Sequence, residues 1–368
     1  MKNTKIAFAT ASALLLTTAF SNAQTTVGGN MRIGYKATSA DLGAGLGSNS
    51  RMVKETQINI ANKGKLNIGG LEYAAGFSLE LDGNDANRAA PTTHSAVSFG
   101  KAHYENNYID IIVPSTKTTF TFSADHLKPS DVQLSDIVGG PARVDHVLHH
   151  AAATAAGATI ASKFTDKMDD KGSTEGFGVG VTQELGAFGR LNFIYQPDAS
   201  ENFSALADTG GSMTDGLSST SNSFYDVAFR GSLGVKGLDV VVSRNKQDGT
   251  GSARDIKFHS EGIRYTMGAI TGAYQQSKGE YDTTANTNAK SKEYGLAYTV
   301  NPNLSVGAVL IKTKDDSATA TEEKITGLSI GYNLGPVFLS TVAGKIEGAG
   351  NTAGADGKAI QVSLGTTF

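Results

Sequence analysis

The sequence predicts an all-β fold, a 16-stranded antiparallel transmembrane β-barrel that occupies residues 24–368. Segments of about ten residues, in which apolar and polar side chains alternate, recur from residue 25 to the C-terminus. None of these segments approaches the ~18 to 20 consecutive apolar residues of a transmembrane helix. Short and long connections alternate between the segments, which is typical of strands that cross a membrane and return.

The N-terminus has the features of an export signal. Lys2 and Lys5 precede an apolar run, and residues 21–23 form a small-x-small cleavage site. We therefore expect residues 1–23 to be a removed signal peptide and residues 24–368 to form one barrel domain. Loss of the two lysines changes the formal net charge from −3 to −5. This charge gives no reason to expect nucleic-acid binding, and it is compatible with a mild preference for cations.

The amino-acid composition excludes cysteine chemistry and favours a β-rich fold. The chain has no cysteine, which excludes disulfides, thiol catalysis and cysteine metal sites. It has 44 glycines and only 7 prolines, a balance that suits curved strands and tight turns better than helices. Stability must then come from the hydrogen-bonded ladder and from packing of the lipid-facing side chains.

Alternation and turn residues together predict sixteen strands, and the even number places both termini on one side of the membrane. The predicted strands are 25–37, 52–65, 71–82, 102–113, 117–125, 174–184, 188–197, 222–234, 237–247, 254–266, 268–280, 291–300, 304–314, 323–333, 336–346 and 358–368. The short connections are 67–70, 114–117, 186–189, 234–237, 267–268, 301–303 and 334–336.

The alternation also predicts which side chains face lipid. In the first strand Met31 and Ile33 face outward, and Arg32 and Lys36 face the lumen. Further outward rows are Leu71, Tyr73, Phe77, Leu79 and Leu81; Phe177, Val179 and Val181; Leu191, Phe193 and Tyr195; Tyr225, Val227 and Phe229; and Ile360, Val362, Leu364 and Phe368. The same pattern fits a soluble antiparallel sandwich, although a sandwich rarely needs so many long hairpins.

Four features of the chain occur together: the export signal, the rhythm of sixteen strands, the Lys-Glu-Thr-Gln-Ile-Asn stretch at 54–59, and a terminal strand that ends in Phe368. In this combination the chain resembles the general porins of Gram-negative outer membranes. The resemblance implies that the terminal aromatic strand is part of the signal read by the outer-membrane assembly machinery. Thr366 departs from the family, in which a bulky residue often occupies that position.

The resemblance also implies a function. Porins of this kind are homotrimers embedded in outer-membrane lipid, and they form water-filled channels for passive diffusion of small hydrophilic solutes and ions. No enzymatic activity, cofactor or nucleic-acid partner is implied. Two alternatives stay open, a substrate-specific channel and a structural or adhesive barrel with a blocked lumen.

In the family the third external loop folds into the barrel and narrows it, at a constriction called the eyelet. The third loop of this chain covers residues 126–173, and its segment 130–140 resembles the acidic, double-glycine segment of the family's eyelet. The resemblance implies that Asp131, Asp136 and Asp145 face the pore.

A basic wall opposite the acidic loop sets a transverse field in the family. The candidates in this chain are Arg32, Lys36 and Arg51. Crossed charged walls orient dipolar solutes and disfavour apolar ones. These three residues are equally compatible with ordinary solvated lumen charges. The fifth strand carries Thr121, Ser123 and Asp125 where the family often supplies an arginine.

The sequence gives little support for metal binding or catalysis. His146, His149 and His150 lie beside an alanine-rich stretch of the third loop, and we interpret them as polar loop residues rather than metal ligands. The sequence contains no nucleophile elbow and no phosphate-binding loop. We therefore expect neither an enzyme nor a metal site.

Overall fold

The computed structural model describes residues 23–41, 49–81, 103–124, 177–197, 223–248, 255–281, 288–315, 321–349 and 353–368. Within these ranges sixteen strands form a closed antiparallel barrel, in which each strand pairs with its neighbours in the chain and the last strand pairs with the first. The strands are β1 (Gln24–Asp41), β2 (Asn49–Lys65), β3 (Glu72–Glu80), β4 (His103–Val113), β5 (Thr118–Ala124), β6 (Phe177–Glu184), β7 (Arg190–Gln196), β8 (Phe224–Gly231), β9 (Leu238–Gln247), β10 (Ile256–Met267), β11 (Ile270–Tyr281), β12 (Ala289–Asn301), β13 (Leu304–Asp315), β14 (Glu323–Asn333), β15 (Val337–Glu347) and β16 (Asp356–Thr367).

All sixteen predicted strands are present, so the predicted fold class is confirmed. The bounds differ by a few residues at the strand ends. The largest extension is in β1, which continues to Asp41 because its pairing with β16 runs to Asp356. A single turn of 3-10 helix at Gly186–Phe188 joins β6 to β7. No helix in the described ranges is long and apolar enough to cross a membrane.

The short turns form where the sequence has a glycine that can adopt the left-handed backbone conformation, or an asparagine whose side chain accepts hydrogen bonds. Gly268 and Gly335 have φ values of 62° and 90°, a region that glycine adopts without a Cβ clash. The side chain of Asn301 accepts hydrogen bonds from the backbone N–H groups of Asn303 and Leu304, at 2.9 and 3.0 Å. Asn333 accepts one from the N–H of Gly335 at 2.9 Å. Such Asx turns stabilise hairpins of this length.

The barrel closes where the chain ends. Gly29 donates its backbone N–H to the carbonyl of Phe368 at 2.8 Å, and Phe368 donates its N–H to the carbonyl of Gly29 at 3.0 Å. A Cβ at position 29 would overlap the carbonyl oxygen of Gln57 and lie 2.7 Å from the ring of Phe368. Glycine at position 29 therefore lets three strands meet at the closing seam.

Alternate rows of the wall differ in chemistry, as the sequence predicts. The outward rows expose large apolar side chains, including Met31 and Ile33 on β1 and Ile360, Val362 and Leu364 on β16. The rows between them contain buried polar side chains such as Ser243, Ser260 and Ser363. An apolar outer surface of this size is suited to contact with a lipid bilayer. Because the ladder is closed, it leaves no strand edge unpaired in the membrane.

Candidate pore lining

The inward rows of β1 carry two of the predicted pore residues. Arg32 and Lys36 lie on the face opposite Met31 and Ile33, and Lys36 is only 6% exposed. Arg51 is the backbone partner of Lys36 across the β1–β2 ladder. The register therefore places the three predicted basic residues next to one another along the β1–β2 backbone ladder.

Sequence reasoning missed an acid in this sector. Glu55 is the backbone partner of Arg32. This part of the backbone ladder therefore contains three basic positions and one acidic position. The sequence did show this acid, because Glu55 belongs to the Lys-Glu-Thr-Gln-Ile-Asn stretch at 54–59.

The fifth strand carries two short hydroxyl side chains on its inward row. Thr121 and Ser123 lie on the inward row of β5, beside β4. Thr121 donates a hydrogen bond to Asp110 Oδ1 at 2.6 Å, and Ser123 donates one to the carbonyl of Asn107 at 2.6 Å. This part of the wall therefore presents hydroxyls and a carboxylate where the family often has an arginine.

A charged network lines the opposite side of the barrel, near the short turns. Arg230 on β8 donates two hydrogen bonds to Asp239 on β9, from Nε to Oδ1 at 3.2 Å and from Nη2 to Oδ2 at 2.7 Å. Arg264 on β10 donates a third from Nη2 to Oδ2 at 2.7 Å. Bidentate pairs of this kind are among the stronger and more directional side-chain contacts.

The sequence did not identify this network, although its residues are all turn-proximal. Asp239 precedes the run of valines at 240–242, in which both faces are apolar and the facing is ambiguous. Only the register, which pairs Asp239 directly with Arg264, shows which face of the strand lines the lumen. The network holds two guanidinium groups on one carboxylate and leaves this sector net positive.

Hydroxyl and amide side chains cover the inner wall from β10 to β12. Ser260 and Ser277 are hydrogen-bonded at 3.1 Å, and Gln275 donates to Ser260 Oγ at 2.9 Å. Thr313 on β13 donates to Ser291 Oγ at 3.2 Å. These side chains are buried and hydrogen-bonded to one another, so they form a satisfied polar network that contains no fixed charge.

The inner wall of β13–β15 is apolar near the long connections, which the sequence did not predict. Ile311, Ile325 and Ile346 are direct neighbours across three strands, and Ile325 has 0% exposure. They belong to a cluster that also contains Val309, Val342, Ala349, Ala355 and Ala359. Strand-by-strand alternation did not reveal it, because the cluster forms only when three inward rows are aligned.

Replacing Ile325 with alanine tests whether this patch contributes to stability. We expect a loss of about 2–4 kcal/mol, since the change removes fully buried methyl groups and leaves a cavity. Ile330→Ala is the matched control, because Ile330 lies on the same strand and faces outward. Urea unfolding of the folded barrel, followed by its gel mobility, measures both. Equal losses would contradict the packing described here.

The predicted acidic wall belongs to the third loop, residues 126–173. Asp131, Asp136 and Asp145, and the third loop that we expect to fold inward, lie outside the described residues. The same holds for His146, His149 and His150. Within the described ranges, no group of three or more histidine or acidic side chains is arranged to hold a metal ion.

The fold and its lining define a class of protein, a membrane-spanning β-barrel with a polar, charged interior. The family profile of Gram-negative porins matches residues 9–316. The chain belongs to this family. It is a porin, a passive diffusion channel for small solutes, and its barrel is of the outer-membrane type.

Solved structures agree in fold. A double mutant of the Rh. blastica porin is 15% identical and has a TM-score of 0.60, with 94% of this chain and 100% of that chain covered. A triple mutant of the Rhodopseudomonas blastica porin has a TM-score of 0.58 at the same identity and coverage. A structure titled "Asymmetric conductivity of engineered proteins" has a TM-score of 0.58, also at 15% identity and with the same coverage. No curated protein sequence matched the chain.

Proposed function

We propose that the barrel is a general, trimeric porin whose eyelet is formed by the third loop. The observation that carries this proposal is the closed barrel with outward apolar rows and inward polar and charged rows. In the proposed pore, Asp131, Asp136 and Asp145 face the basic residues Arg32, Lys36 and Arg51. The crossed walls select small hydrophilic solutes and ions by size and field, without a tight binding site.

The apolar patch on β13–β15 supports an inward third loop. Isoleucine side chains on a wall that faces water are unfavourable unless other apolar groups cover them. The predicted eyelet segment contains Val132, Leu134, Ile137 and Val138 beside its acids. These side chains match the patch in apolar character.

The remaining parts of the proposal concern export and assembly. Residues 1–23 are removed as a signal peptide, and residues 24–368 form the mature barrel. Phe368 is read by the outer-membrane assembly machinery, and three copies associate. The terminal ring is 66% exposed at the closing seam, where a receptor has access to it. The mature protein is a channel without enzymatic activity or a cofactor.

The described residues do not favour the alternative channels. Among them, the inward aromatic side chains Tyr108, Phe224, Phe258 and Phe338 lie on β4, β8, β10 and β15. No two of these strands are neighbours, so these rings do not form the continuous stacking track expected of a substrate-specific channel.

The double variant Asp131→Asn and Asp136→Asn tests the eyelet. We expect the reversal potential in a salt gradient to shift toward anions, because two fixed negative charges leave the narrowest part of the path. Asp356→Asn is the matched control, since Asp356 is exposed on the outward row of β16. An unchanged reversal potential in the double variant, or an equal shift in the control, would remove these residues from the eyelet.

A further inference from the structure

A third arginine lies next to the network of Arg230, Asp239 and Arg264. Arg190 is the backbone partner of Arg230 across the β7–β8 ladder, and both residues lie on inward rows close to the short turns. Residues that are directly opposed on antiparallel strands have Cβ atoms about 4.5–5.5 Å apart. Three guanidinium groups therefore lie on one part of the inner wall, between β7 and β10. We call Arg190, Arg230 and Arg264 the arginine cluster.

Carboxylates neutralise only part of the arginine cluster. Asp239 is shared between Arg230 and Arg264. Glu184 is the backbone partner of Arg190 on β6, but among the described residues no ion pair joins these two side chains, and both are exposed. Three guanidinium groups and two carboxylates leave one positive charge in excess. An anion is therefore attracted to this part of the wall.

Asp239 holds two of the guanidinium groups in place and leaves other donors available. Arg230 uses its Nε and Nη2 atoms for the bonds to Asp239, and Arg264 uses only Nη2. Because a guanidinium has five N–H donors, each side chain keeps donors that can bind a further group. The side chains of Arg230 and Arg264 are 30% and 31% exposed, so a solute in the lumen has access to them.

The wall beside the arginine cluster is apolar. Val241 is the backbone partner of Arg230, and it is only 1% exposed although its row faces the lumen. Ala273, the backbone partner of Arg264, packs against Val241. Charged groups interact more strongly beside an apolar surface than in open water, because the local dielectric constant is lower. This wall therefore strengthens the attraction between the arginines and a bound anion.

The arginine cluster lies apart from the predicted eyelet. The third loop joins β5 to β6 at the end of the barrel that carries the long connections, whereas the cluster is at the end with the short turns. The predicted basic wall belongs to β1 and β2, and strands β3–β6 separate it from the cluster. In outer-membrane barrels the short turns face the periplasm. The cluster therefore lies at the periplasmic end of the lumen.

We propose that the arginine cluster binds phosphate groups, either as inorganic phosphate or as phosphomonoesters. A guanidinium presents paired N–H donors that match the oxygens of a phosphate. Neighbouring strands lie about 4.8 Å apart, so Arg190 and Arg230 can contact one phosphate together. A tetrahedral phosphate offers acceptors to both groups, whereas a planar carboxylate is satisfied by one. The inference rests on the proposed function, since the solute reaches the cluster through a water-filled lumen.

Phosphorus NMR of the ligand tests this site. The purified, folded barrel in a phosphate-free detergent is titrated with inorganic phosphate or with glycerol phosphate, and the broadening of the phosphorus line is measured. We expect broadening of both lines, because a bound phosphate tumbles as slowly as the micelle. The double variant Arg190→Gln and Arg264→Gln should raise the Kd at least about tenfold, since charge-assisted hydrogen bonds are lost.

The matched control is the double variant Lys63→Gln and Lys65→Gln. Both lysines are exposed near the short-turn end of β2, on the same row as Asn59. The control therefore removes the same charge from the same end of the lumen, but from another part of the wall, and its Kd should equal that of the wild type. Equal weakening in the two double variants would overturn the proposal in favour of a diffuse positive field.

Two further results would also overturn the proposal: a wild-type barrel that broadens neither line, and acetate that displaces phosphate at equal concentration. Broadening of one ligand alone supports the site and identifies the source of its phosphate. If the double variant does not fold, Arg190→Gln serves, with Lys63→Gln as its control, because among the described residues Arg190 has no ion pair to lose. Binding is measured without current flow, so a failure here is distinguishable from a failure of the proposed pore.

Discussion

Gly29→Ala is expected to prevent stable closure of the barrel. The added Cβ overlaps the backbone oxygen of Gln57, which is fixed in the β1–β2 ladder, and it also meets the ring of Phe368. Backbone cannot move aside without breaking the ladder, so we expect a loss of about 3 kcal/mol, the upper end of typical overpacking penalties. Because the seam joins the first and last strands, this loss falls on the step that closes the cylinder.

Gly272→Ala is the control for this prediction. Gly272 also lies in a strand, but a Cβ built there has no neighbour within 4 Å. Both variants are refolded into detergent micelles, and the fraction with folded gel mobility is measured against urea concentration. Similar midpoints for the two variants would contradict the role assigned to the closing seam.

Asp239→Asn is expected to change both the stability and the ion selectivity of the pore. The carboxylate of Asp239 holds Arg230 and Arg264, and its side chain is largely shielded from solvent. Neutralising it leaves two guanidinium groups side by side on the inner wall. We expect a destabilisation of up to about 3 kcal/mol, below the range for fully buried pairs, and a reversal potential shifted toward anions.

Glu261→Gln provides the comparison for Asp239→Asn. Glu261 pairs with Arg244 at 3.1 Å, and both side chains are about half exposed on the outer face. Its loss removes the same charge from outside the lumen, so the reversal potential should stay at the wild-type value. A shift of equal size in both variants, or none in Asp239→Asn, would contradict the inward facing of the network.

Much of the fold was predictable because a barrel strand has a simple period. Each crossing alternates lipid-facing and lumen-facing residues, so Met31 and Arg32 are assigned to opposite faces from the sequence alone. The turns were also predictable from the local sequence. Gly268 adopts the left-handed backbone conformation, and Asn301 accepts a hydrogen bond from the hairpin backbone. The terminal strand was predicted on the same grounds, although its pairing with Gly29 was not.

The lining was less predictable, because it depends on register between strands. Asp239 meets Arg264, and Ile325 meets Ile311 and Ile346, only through pairings that no single segment encodes.

Single-channel conductance of the purified barrel, recorded in a planar bilayer under a salt gradient, tests the proposed open pore. We expect ohmic steps, grouped in threes, with a modest reversal potential directed toward cations, since we propose an open trimeric channel with an acidic constriction. A protein that inserts in its folded form and conducts at no voltage would contradict the open pore, and it would favour a barrel with a blocked lumen.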